Sequence, residues 1–444
     1  MIRSYDVVVA GGGTAGSVAA IAAAREGARV LCFEQFGGLG GTSTLGLVTP
    51  LMPFRLGDRW LVRGIHEEIV EATRRACDDG DGIFFNPERL KYVLEDLVTE
   101  AGVELLYHTF ATAAHVENGR LMAVEAHNKS GRQTFEAGCF VDATGDADVA
   151  ALAGAAFASG RPEDGLNQSA SLRFIMAGVD WKALADWLHE RGLGGNPPHL
   201  HLGFTREREV YPWMEELLER AVTDGVFVDD EAGYFQFFTL PGRPGEAIFN
   251  CPRLLRINGA RAEDLTRAQV EGRRLIQRLV EFCRRYIAGF ENAWLAWTAP
   301  MVGVRESRRV IGEYTFSGED VRTAAKFPDA AARSCYPIDI HQPDRAGTII
   351  VHPPAGDWYE IPYRCMVPEK VDGLLVAGRC VSSTFEGQSA LRIIPTCRAL
   401  GQAAGVAAAW AARHGLPPRK LDHCALRARW EALGVLGDLD PAPV

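Results

Sequence analysis

Several features are scarce in this 444-residue sequence. No apolar run approaches the roughly 18 residues that a membrane-spanning helix needs. Positive charge is also in deficit, because 47 Lys and Arg stand against 57 Asp and Glu and the formal net charge is -10. A surface that binds nucleic acid needs clustered Lys and Arg. We therefore expect neither membrane insertion nor a nucleic-acid partner.

The ten cysteines are scattered, and no two of them form a CxxC pair. A redox-active disulfide or a cysteine-based zinc site would need such a spacing. His199 and His201 lie close together, but two histidines alone do not complete a zinc site. The chain runs from Met1 directly into an apolar strand, with no leader-like segment before it. We expect a cytoplasmic protein with reduced thiols and no metal.

Glycine, in contrast, is abundant, with 47 residues. The first glycine cluster, residues 11–16 (GGGTAG), follows an apolar strand at 6–10 and precedes an alanine-rich helix predicted over 17–26. A second buried strand, 30–33, ends at Glu34. The order of strand, glycine turn, helix, strand and acidic residue is typical of a dinucleotide-binding βαβ unit.

Each residue of this motif has a physical role. Gly11 permits the tight turn, Gly13 admits a pyrophosphate, and Gly16 lets the helix and the strand pack closely. The helix N-terminus, which Thr14 and Ala15 lead into, offers free N–H groups to the anion. Glu34, with Gln35 beside it, is placed to bind ribose hydroxyls. The motif alone does not choose between NAD and FAD.

The same α/β pattern continues to about residue 155 and returns near residue 371. Its further elements are a second glycine-rich loop at 37–46, helices at 64–77 and 87–101, strands at 104–108 and 139–143, a three-stranded meander between them, a strand at 373–377 and an Ala/Gly-rich helix from about 395 to 413. Between the two parts the aromatic content rises, and charged amphipathic helices are predicted near 180–190, 209–223 and 264–289. We therefore expect an α/β protein with a discontinuous Rossmann-like nucleotide-binding domain, residues 1–155 and 366–444. A mixed α+β substrate domain, residues 156–365, would be inserted in it.

Further motifs make the chain resemble the FAD-dependent oxidoreductase family, which is related to the glutathione-reductase-like and fumarate-reductase-like flavoproteins. The resemblance covers most of the length and depends on GGGTAG with Glu34, GGLGGTSTLG at 37–46, DATGD at 142–146, GVRESRR at 303–309, YPIDIH at 336–341, YEIPYR at 359–364, and VAGRC at 376–380 with LRIIPTCRALGQAAG at 391–405.

This resemblance implies an oxidoreductase that binds FAD non-covalently. The loop at Gly41 and Thr42 would pass the pyrophosphate and the flavin, and Ala111 would contact adenine through its backbone. The helix near Pro395 would direct its positive N-terminus at the flavin pyrimidine. The remaining residues that the resemblance implies for the cofactor are Ala143, Thr144, Gly145, Gly378, Arg379, Arg392 and Ile393.

The chain also departs from its better-known relatives. No histidine lies in 37–46, where fumarate-reductase-like enzymes attach flavin covalently. The last motif has Gly378-Arg379 where aromatic hydroxylases have Gly-Asp, and no second GxGxxG is present for an NADPH domain. These differences weigh against a succinate-dehydrogenase-like enzyme, a hydroxylase and a disulfide reductase respectively.

The candidate catalytic residues are His341, Arg305 and Arg364. His341 and Asp339 alternate along an extended segment and so point to one side, and histidine moves protons at neutral pH. Arg305 would share a helical face with Arg308 and Arg309 if that segment is helical. The arginines suit an oxyanion clamp. Equally open are a structural role for His341 and structural ion pairs of the arginines, with Glu306 or Glu313 as partners.

We expect hydride transfer between flavin N5 and a small polar substrate, anionic or hydroxylated, with an electron acceptor that the sequence does not identify. Two alternatives remain open at this point. One is a non-redox or tRNA-modifying flavoprotein, which a basic surface stripe would favour. The other is a protein that binds FAD without turnover.

Overall fold

The computed structural model describes residues 2–75, 84–205, 211–228, 231, 233–240 and 242–438. Its strands, in chain order, are β1 (Ile2–Ala10), β2 (Val30–Phe33), β3 (Arg55–Leu56), β4 (Arg59–Trp60), β5 (Glu104–Leu106), β6 (Phe110–Glu117), β7 (Arg120–Asn128), β8 (Gly131–Asp142), β9 (Phe157–Ser159), β10 (Ala170–Ser171), β11 (Phe174–Ala177), β12 (His201–Thr205), β13 (Tyr234–Thr239), β14 (Ala247–Phe249), β15 (Arg253–Leu254), β16 (Trp294–Thr298), β17 (Arg308–Val310), β18 (Ala330–Ser334), β19 (Ile338–His341), β20 (Thr348–Val351), β21 (Tyr359–Pro362) and β22 (Leu374–Val376). The α-helices are α1 (Gly16–Arg25), α2 (Ile65–Arg75), α3 (Pro87–Glu100), α4 (Asp148–Leu152), α5 (Trp181–His189), α6 (Pro212–Thr223), α7 (Ala262–Tyr286), α8 (Gly318–Arg322), α9 (Phe385–Leu391), α10 (Ile394–His414) and α11 (His423–Ala432).

A seven-stranded sheet, ordered β5-β2-β1-β8-β7-β6 with β22 also paired to β8, carries the Rossmann-like part of the molecule. β1 pairs in parallel with both β2 and β8, and its last four residues are buried. Strands covered on both faces are expected to be continuous apolar runs, and β1 and β2 have such sequences. The parallel Rossmann-like fold predicted from the sequence is confirmed.

Strand β8 has a double role that the sequence did not reveal. Its first half pairs with β7 as the third strand of the predicted meander. Its last residues, 140–142, pair instead with β22 in parallel. The sequence suggested two separate strands here, whereas one twelve-residue strand serves both the meander and the parallel sheet.

Helix α10 packs tightly against α1, as its alanine and glycine content indicated. A Cβ atom on Gly401 would overlap the carbonyl oxygen of Ala15, and one on Gly405 would overlap that of Ala19. Helices approach this closely only where side chains are absent at the crossing. The packing holds the N-terminus of α10 beside the first glycine turn.

A second hydrophobic core lies in the middle of the chain. It surrounds a five-stranded sheet, ordered β12-β13-β14-β11-β16, and is covered by α5, α6 and α7. Apart from Leu47, its buried members run from Ala170 to Val304. The buried residues of 310–367 belong instead to the core of the seven-stranded sheet, so the region proposed as the inserted domain, 156–365, is wider than the second core.

Most predicted helices are present, with shifted ends. The helix expected over 64–77 occupies Ile65–Arg75, and residues 76 and 77 lie outside the described residues. Likewise the helix expected over 209–223 begins at Pro212, and residues 209 and 210 lie outside them. Asn86 caps α3 as expected, because its side-chain oxygen accepts a hydrogen bond from the Glu88 N–H at 3.0 Å. Within the described part of the chain, none of the helices combines the length and the apolarity that crossing a membrane requires.

Candidate active site

One cavity of about 560 Å³ connects the glycine turn of the Rossmann-like sheet with the five-stranded sheet. Residues from both regions line it, together with the β19–β20 hairpin and the start of α10. The sequence-predicted site residues among its walls are Gly13, Thr14, Ala15, Glu34, Gln35, Gly41, Thr42, Ala143, Thr144, Gly145, Arg305, His341, Gly378, Arg379, Arg392 and Ile393. Four others, Gly11, Gly16, Ala111 and Arg364, are not among the lining residues.

Gly11 and Gly16 lie beneath the cavity wall and shape it. Gly11 has a φ of +91°, and a Cβ atom there would approach the carbonyl oxygen of Ala143 to 2.6 Å. A Cβ atom on Gly16 would overlap the carbonyl oxygen of Gly11. Both glycines are therefore required for the turn itself.

Gly13 differs from these two glycines, because its surroundings are open. A Cβ atom on it would come no nearer to another atom than 3.9 Å, the distance to the Cα atom of Gly41. Two hydrogen bonds tie the loops together beside it: the Gly40 N–H donates to Gly12 at 2.9 Å, and Thr14 Oγ1 donates to Gly40 at 3.0 Å. The two loops thus leave a bare backbone cradle facing the cavity.

Glu34 ends β2 at the edge of this cradle. Its carboxylate accepts hydrogen bonds from the N–H of Gly12 at 2.8 Å and of Phe36 at 2.9 Å. Burial raises the pKa of Glu34, and those backbone donors oppose the rise. The Glu34 carboxylate therefore connects the first glycine turn to the loop after β2, and Glu34 lines the cavity at this point.

The ends of β8 and β22 form the opposite wall of the cradle. Arg379 donates to Asp146 at 2.7 Å, and a Cβ atom on Gly145 would approach this guanidinium group to 2.8 Å. Arg379 Nε has no hydrogen-bond partner among the described residues. The ion pair therefore fixes a cation at the carboxyl ends of the central strands, where open α/β sheets bind their ligands.

Two predicted site residues lie elsewhere. Arg364 donates through Nε to Asp329 at 2.9 Å and stacks on Tyr314, so its charge is already paired outside the cavity. Arg364 therefore belongs to a structural ion pair, and its assignment as a catalytic residue is corrected. Ala111 pairs with Ala126 in the meander, two residues beyond Thr109, whose N–H donates to the Glu34 carbonyl. Ala111 does not line this cavity, and its predicted backbone contact with adenine stays a prediction.

The segment around Arg305 is not helical, and this separates the three arginines. Arg305 lines the cavity, where its NH1 donates to the Ser169 carbonyl at 2.5 Å. Arg308 lies in β17 and pairs with Asp148 at 2.8 Å, while Arg309 forms a buried ion pair with Glu306. The expectation of a shared helical face is wrong. The alternative of a structural ion pair with Glu306 holds for Arg309.

His341 and Asp339 do point to one side of β19, and both line the cavity. The His341 Nε2 lies 3.3 Å from Asp339 Oδ2, and the Tyr336 hydroxyl donates to the same oxygen at 2.7 Å. Burial and the adjacent Arg305 lower the pKa of His341 well below its usual range. A neutral imidazole that bonds to the Asp339 carboxylate must do so through an Nε2–H, which leaves the lone pair on Nδ1, an atom with no partner among the described residues.

Arg173 and Arg253, which the sequence analysis did not single out, line the cavity together with Arg305 and His341. Ser171 in β10 pairs with Arg253 in β15 and bridges to Gly303. Arg173 follows Ser171 by two residues, and Arg305 follows Gly303 by two residues. Since alternate residues of an extended chain share a face, the three neighbouring segments direct Arg173, Arg253 and Arg305 into one space.

These arginines, of which Arg173 and Arg305 are buried and Arg253 is half-buried, repel one another. Burial, then Arg253 and Arg392, lower the pKa of Arg305 well below its usual range, and burial lowers that of Arg173 to about 10. Arg392 lies 3.5 Å from Asp339 Oδ2 and donates to the Asp339 backbone carbonyl at 3.1 Å. Arg173, Arg253 and Arg305 have no carboxylate within 4.0 Å among the described residues.

The model of the FAD-dependent oxidoreductase family matches residues 6–430. The chain belongs to this family. No curated protein matches the chain. The protein is an enzyme that uses FAD, as the sequence predicted.

Solved structures similar to this oxidoreductase are distant. A geranylgeranyl bacteriochlorophyll reductase-like protein from Thermoplasma acidophilum shares 16% identity with a TM-score of 0.46, over 98% of this chain and 83% of that chain. A flavin-dependent brominase shares 11% identity with a TM-score of 0.48, over 97% and 83%. The L-proline dehydrogenase of P. horikoshii shares 12% identity with a TM-score of 0.42, over 91% and 93%.

The residues of the cradle fit the FAD that the family uses. The backbone at Gly13 is open to the cavity, Glu34 stands at the end of β2, and Arg379 has an unpartnered donor at the strand ends. Ile393, Ile394 and Cys397 bring the first turn of α10 into the same wall. The predicted direction of the α10 N-terminus at the flavin pyrimidine stays a prediction.

Proposed function

We propose that this FAD-dependent oxidoreductase removes a hydride and a proton from a small, hydroxylated, anionic substrate. The observation that carries the proposal is the Asp339–His341 pair. The His341 imidazole lines the cavity that also contains the glycine cradle, it is bonded to Asp339 through Nε2, and its Nδ1 has no hydrogen-bond partner among the described residues. Such a group can act as the general base of a dehydrogenation.

Each part of the cavity has a task in this proposal. Bound FAD supplies the hydride acceptor at its N5 position. His341 Nδ1 takes the hydroxyl proton as the carbon–hydrogen electron pair leaves, so that the alcohol becomes a carbonyl. Asp339 orients the imidazole through Nε2 and stabilises the positive charge that forms on it. Tyr336 and Arg392 hold Asp339 in its ionised form.

The preference for a hydroxyl group comes from one unpaired hydrogen-bond acceptor. It lies in the part of the cavity lined by His341 and the arginines Arg173, Arg253 and Arg305, which we call the substrate end. Asn250 Oδ1 is buried in the cavity wall and has no hydrogen-bond donor among the described residues. The Asn250 amide nitrogen is committed, because it donates to Tyr234 at 2.9 Å and to Gln236 at 2.7 Å. A buried acceptor without a donor is costly, and a substrate hydroxyl would satisfy it.

The test is anaerobic reduction of the holoenzyme by a panel of hydroxy acids, polyols and amino acids, followed as bleaching of the flavin absorbance. We expect a hydroxy acid to reduce the flavin. With that substrate, His341→Gln should keep FAD and a normal thermal melt and yet slow reduction by about 10²–10⁴-fold. His352→Gln, which changes an exposed histidine outside the cavity, is the matched control.

Three outcomes for His341→Gln separate the possible roles of this histidine, and a fourth outcome tests the substrate class. Slow reduction with FAD and fold intact supports general-base catalysis by His341. A lowered melting temperature of His341→Gln together with loss of FAD would mean that the histidine is structural, and an unchanged rate would exclude it as the base. If only neutral polyols reduced the enzyme, the anionic substrate class would be wrong.

A further inference from the structure

We infer that the substrate of this enzyme carries at least two negative charges. The inference rests on the proposed function, since it names the substrate class of the same cavity. It comes from an excess of positive charge in the cavity wall, which the carboxylate of Asp339 does not neutralise.

The charges of the cavity wall divide into two groups. Among the described residues, its arginines are Arg173, Arg253, Arg305, Arg379 and Arg392, and its acids are Glu34, Asp146 and Asp339. Arg379 is paired with Asp146 and Glu34 ends β2, so both acids lie at the cofactor end. At the substrate end, Asp339 alone opposes the other four arginines.

Three of these arginines remain unneutralised. Asp339 lies beside Arg392, and its other contacts are Tyr336 and His341. Buried like charges are unfavourable without opposite charge nearby, and arginine does not lose its proton in proteins. A monoanion would leave two of the three charges uncompensated, whereas a dianion would leave one.

The arginines also retain the donors that such a ligand needs. Arg173 and Arg305 each use only NH1 in the observed hydrogen bonds, to the carbonyl groups of Leu47 and Ser169. Arg253 is held rigidly by the Ala346, Gly347 and Thr348 oxygens and stacks 3.9 Å above Tyr234, and its Nε is unpartnered. Guanidinium forks bind carboxylate and phosphate groups by paired hydrogen bonds. The shared ligand chemistry is therefore a pair of oxyanions.

The site also distinguishes the ends of the ligand. Arg392 lies beside Asp339, and Arg305 donates to the carbonyl of Ser169, whose N–H donates to the His341 carbonyl. Arg173, in contrast, is anchored to Leu47 on the loop after the second glycine cluster. One oxyanion would thus lie beside the reacting carbon and the other would reach Arg173. Arg173 is then the residue that separates dianions from monoanions.

The experiment compares binding of succinate, butyrate and inorganic phosphate to the holoenzyme at constant ionic strength. Binding is followed by calorimetry and by perturbation of the flavin absorbance, and it needs no turnover. We expect succinate to bind about 10- to 150-fold more tightly than butyrate, the range of one charge-assisted hydrogen bond. Tight phosphate binding with weak succinate binding would identify the oxyanions as phosphoryl groups and would still support the dianion.

Two variants locate the effect. Arg173→Gln should remove most of the preference for succinate over butyrate, and Arg305→Gln should weaken both ligands. Arg274→Gln changes an exposed arginine of α7 and should alter neither. Equal affinities of wild type for succinate and butyrate, without tighter binding of phosphate, would overturn the inference. A succinate affinity that exceeds that of butyrate but that both cavity variants leave unchanged would also overturn it.

The two proposals fail in different ways. Dianion binding without any substrate that reduces the flavin would leave the charge assignment standing and remove the proposed reaction. Reduction by a hydroxylated monoanion, with no preference for dianions, would leave the reaction standing and remove the charge assignment.

Discussion

The two ends of the cavity are built on opposite principles. At the cofactor end, hydrogen bonds connect the two glycine loops with each other and with Glu34. Gly11 and Gly16 leave no room there for a side chain. At the substrate end the groups that would bind are unsatisfied: Arg253 Nε, Asn250 Oδ1 and His341 Nδ1 have no partners among the described residues. Apart from the unpartnered Arg379 Nε, the cofactor end is defined by its shape, whereas the substrate end has several unmet polar interactions that a ligand can satisfy.

The strongest test of this comparison is within the glycine turn. Gly16→Ala should destabilise the fold by more than about 3 kcal/mol, beyond the usual range of single substitutions, because the new methyl group would overlap the Gly11 carbonyl. Gly13→Ala should leave the melting temperature of the apoprotein nearly unchanged, since its surroundings are open. It should nevertheless lower the FAD content, because the methyl group would occupy the pyrophosphate path.

Both variants are checked by the FAD-to-protein absorbance ratio and by thermal melts of the apoproteins. Gly57→Ala is not a suitable control, because Gly57 has a positive φ. Gly194→Ala is suitable, because it changes a glycine with open surroundings away from the cavity. Full FAD retention in Gly13→Ala would contradict the role given to this residue.

The next effect is expected at Glu34. Glu34→Gln should weaken FAD binding by about 1–3 kcal/mol, or 5- to 150-fold, through loss of charge-assisted hydrogen bonds. The fold should persist with a modest loss of stability, because the Gln oxygen can still accept from one of the Gly12 and Phe36 N–H groups while its NH2 group faces the other. Fluorescence titration of apoprotein with FAD measures the constant, with Glu117→Gln as an exposed control. An unchanged constant would show that another group binds the ribose.

The smallest effect concerns pH. His341 acts as a base only when neutral, and burial with Arg305 and Arg253 lowers its pKa. The second-order rate constant for flavin reduction should therefore stay level as pH falls to 6.5 and decline only at lower pH. Arg305→Gln removes a nearby cation, so the pKa of His341 rises and the decline begins at higher pH. An acid limb that does not move in this variant would contradict the assignment of the titrating group to His341.

The sequence predicted the Rossmann-like fold and the use of FAD because the signals for them are local. The spacing of Gly11, Gly13, Gly16 and Glu34 reports directly on one strand–turn–helix–strand unit. The arginine cluster gave no such signal, because Arg173, Arg253 and Arg305 meet only through the pairing of β10 with β15 and the bridge to Gly303. Arg364 was misassigned for the same reason, since the sequence did not show that Asp329 would lie beside it.

The pairing of β8 with β22 has a consequence for synthesis of the chain. The cradle is complete only when β22 and α10 have been added, although the turn that they cover is formed by residues that are synthesised much earlier. Contacts between such distant segments form slowly. The nascent sheet therefore leaves the ribosome with an open edge on β8 and an uncovered face on α1, which only β22 and α10 can close. A chain that terminates before residue 374 would keep both surfaces exposed and be a target for chaperones and proteases.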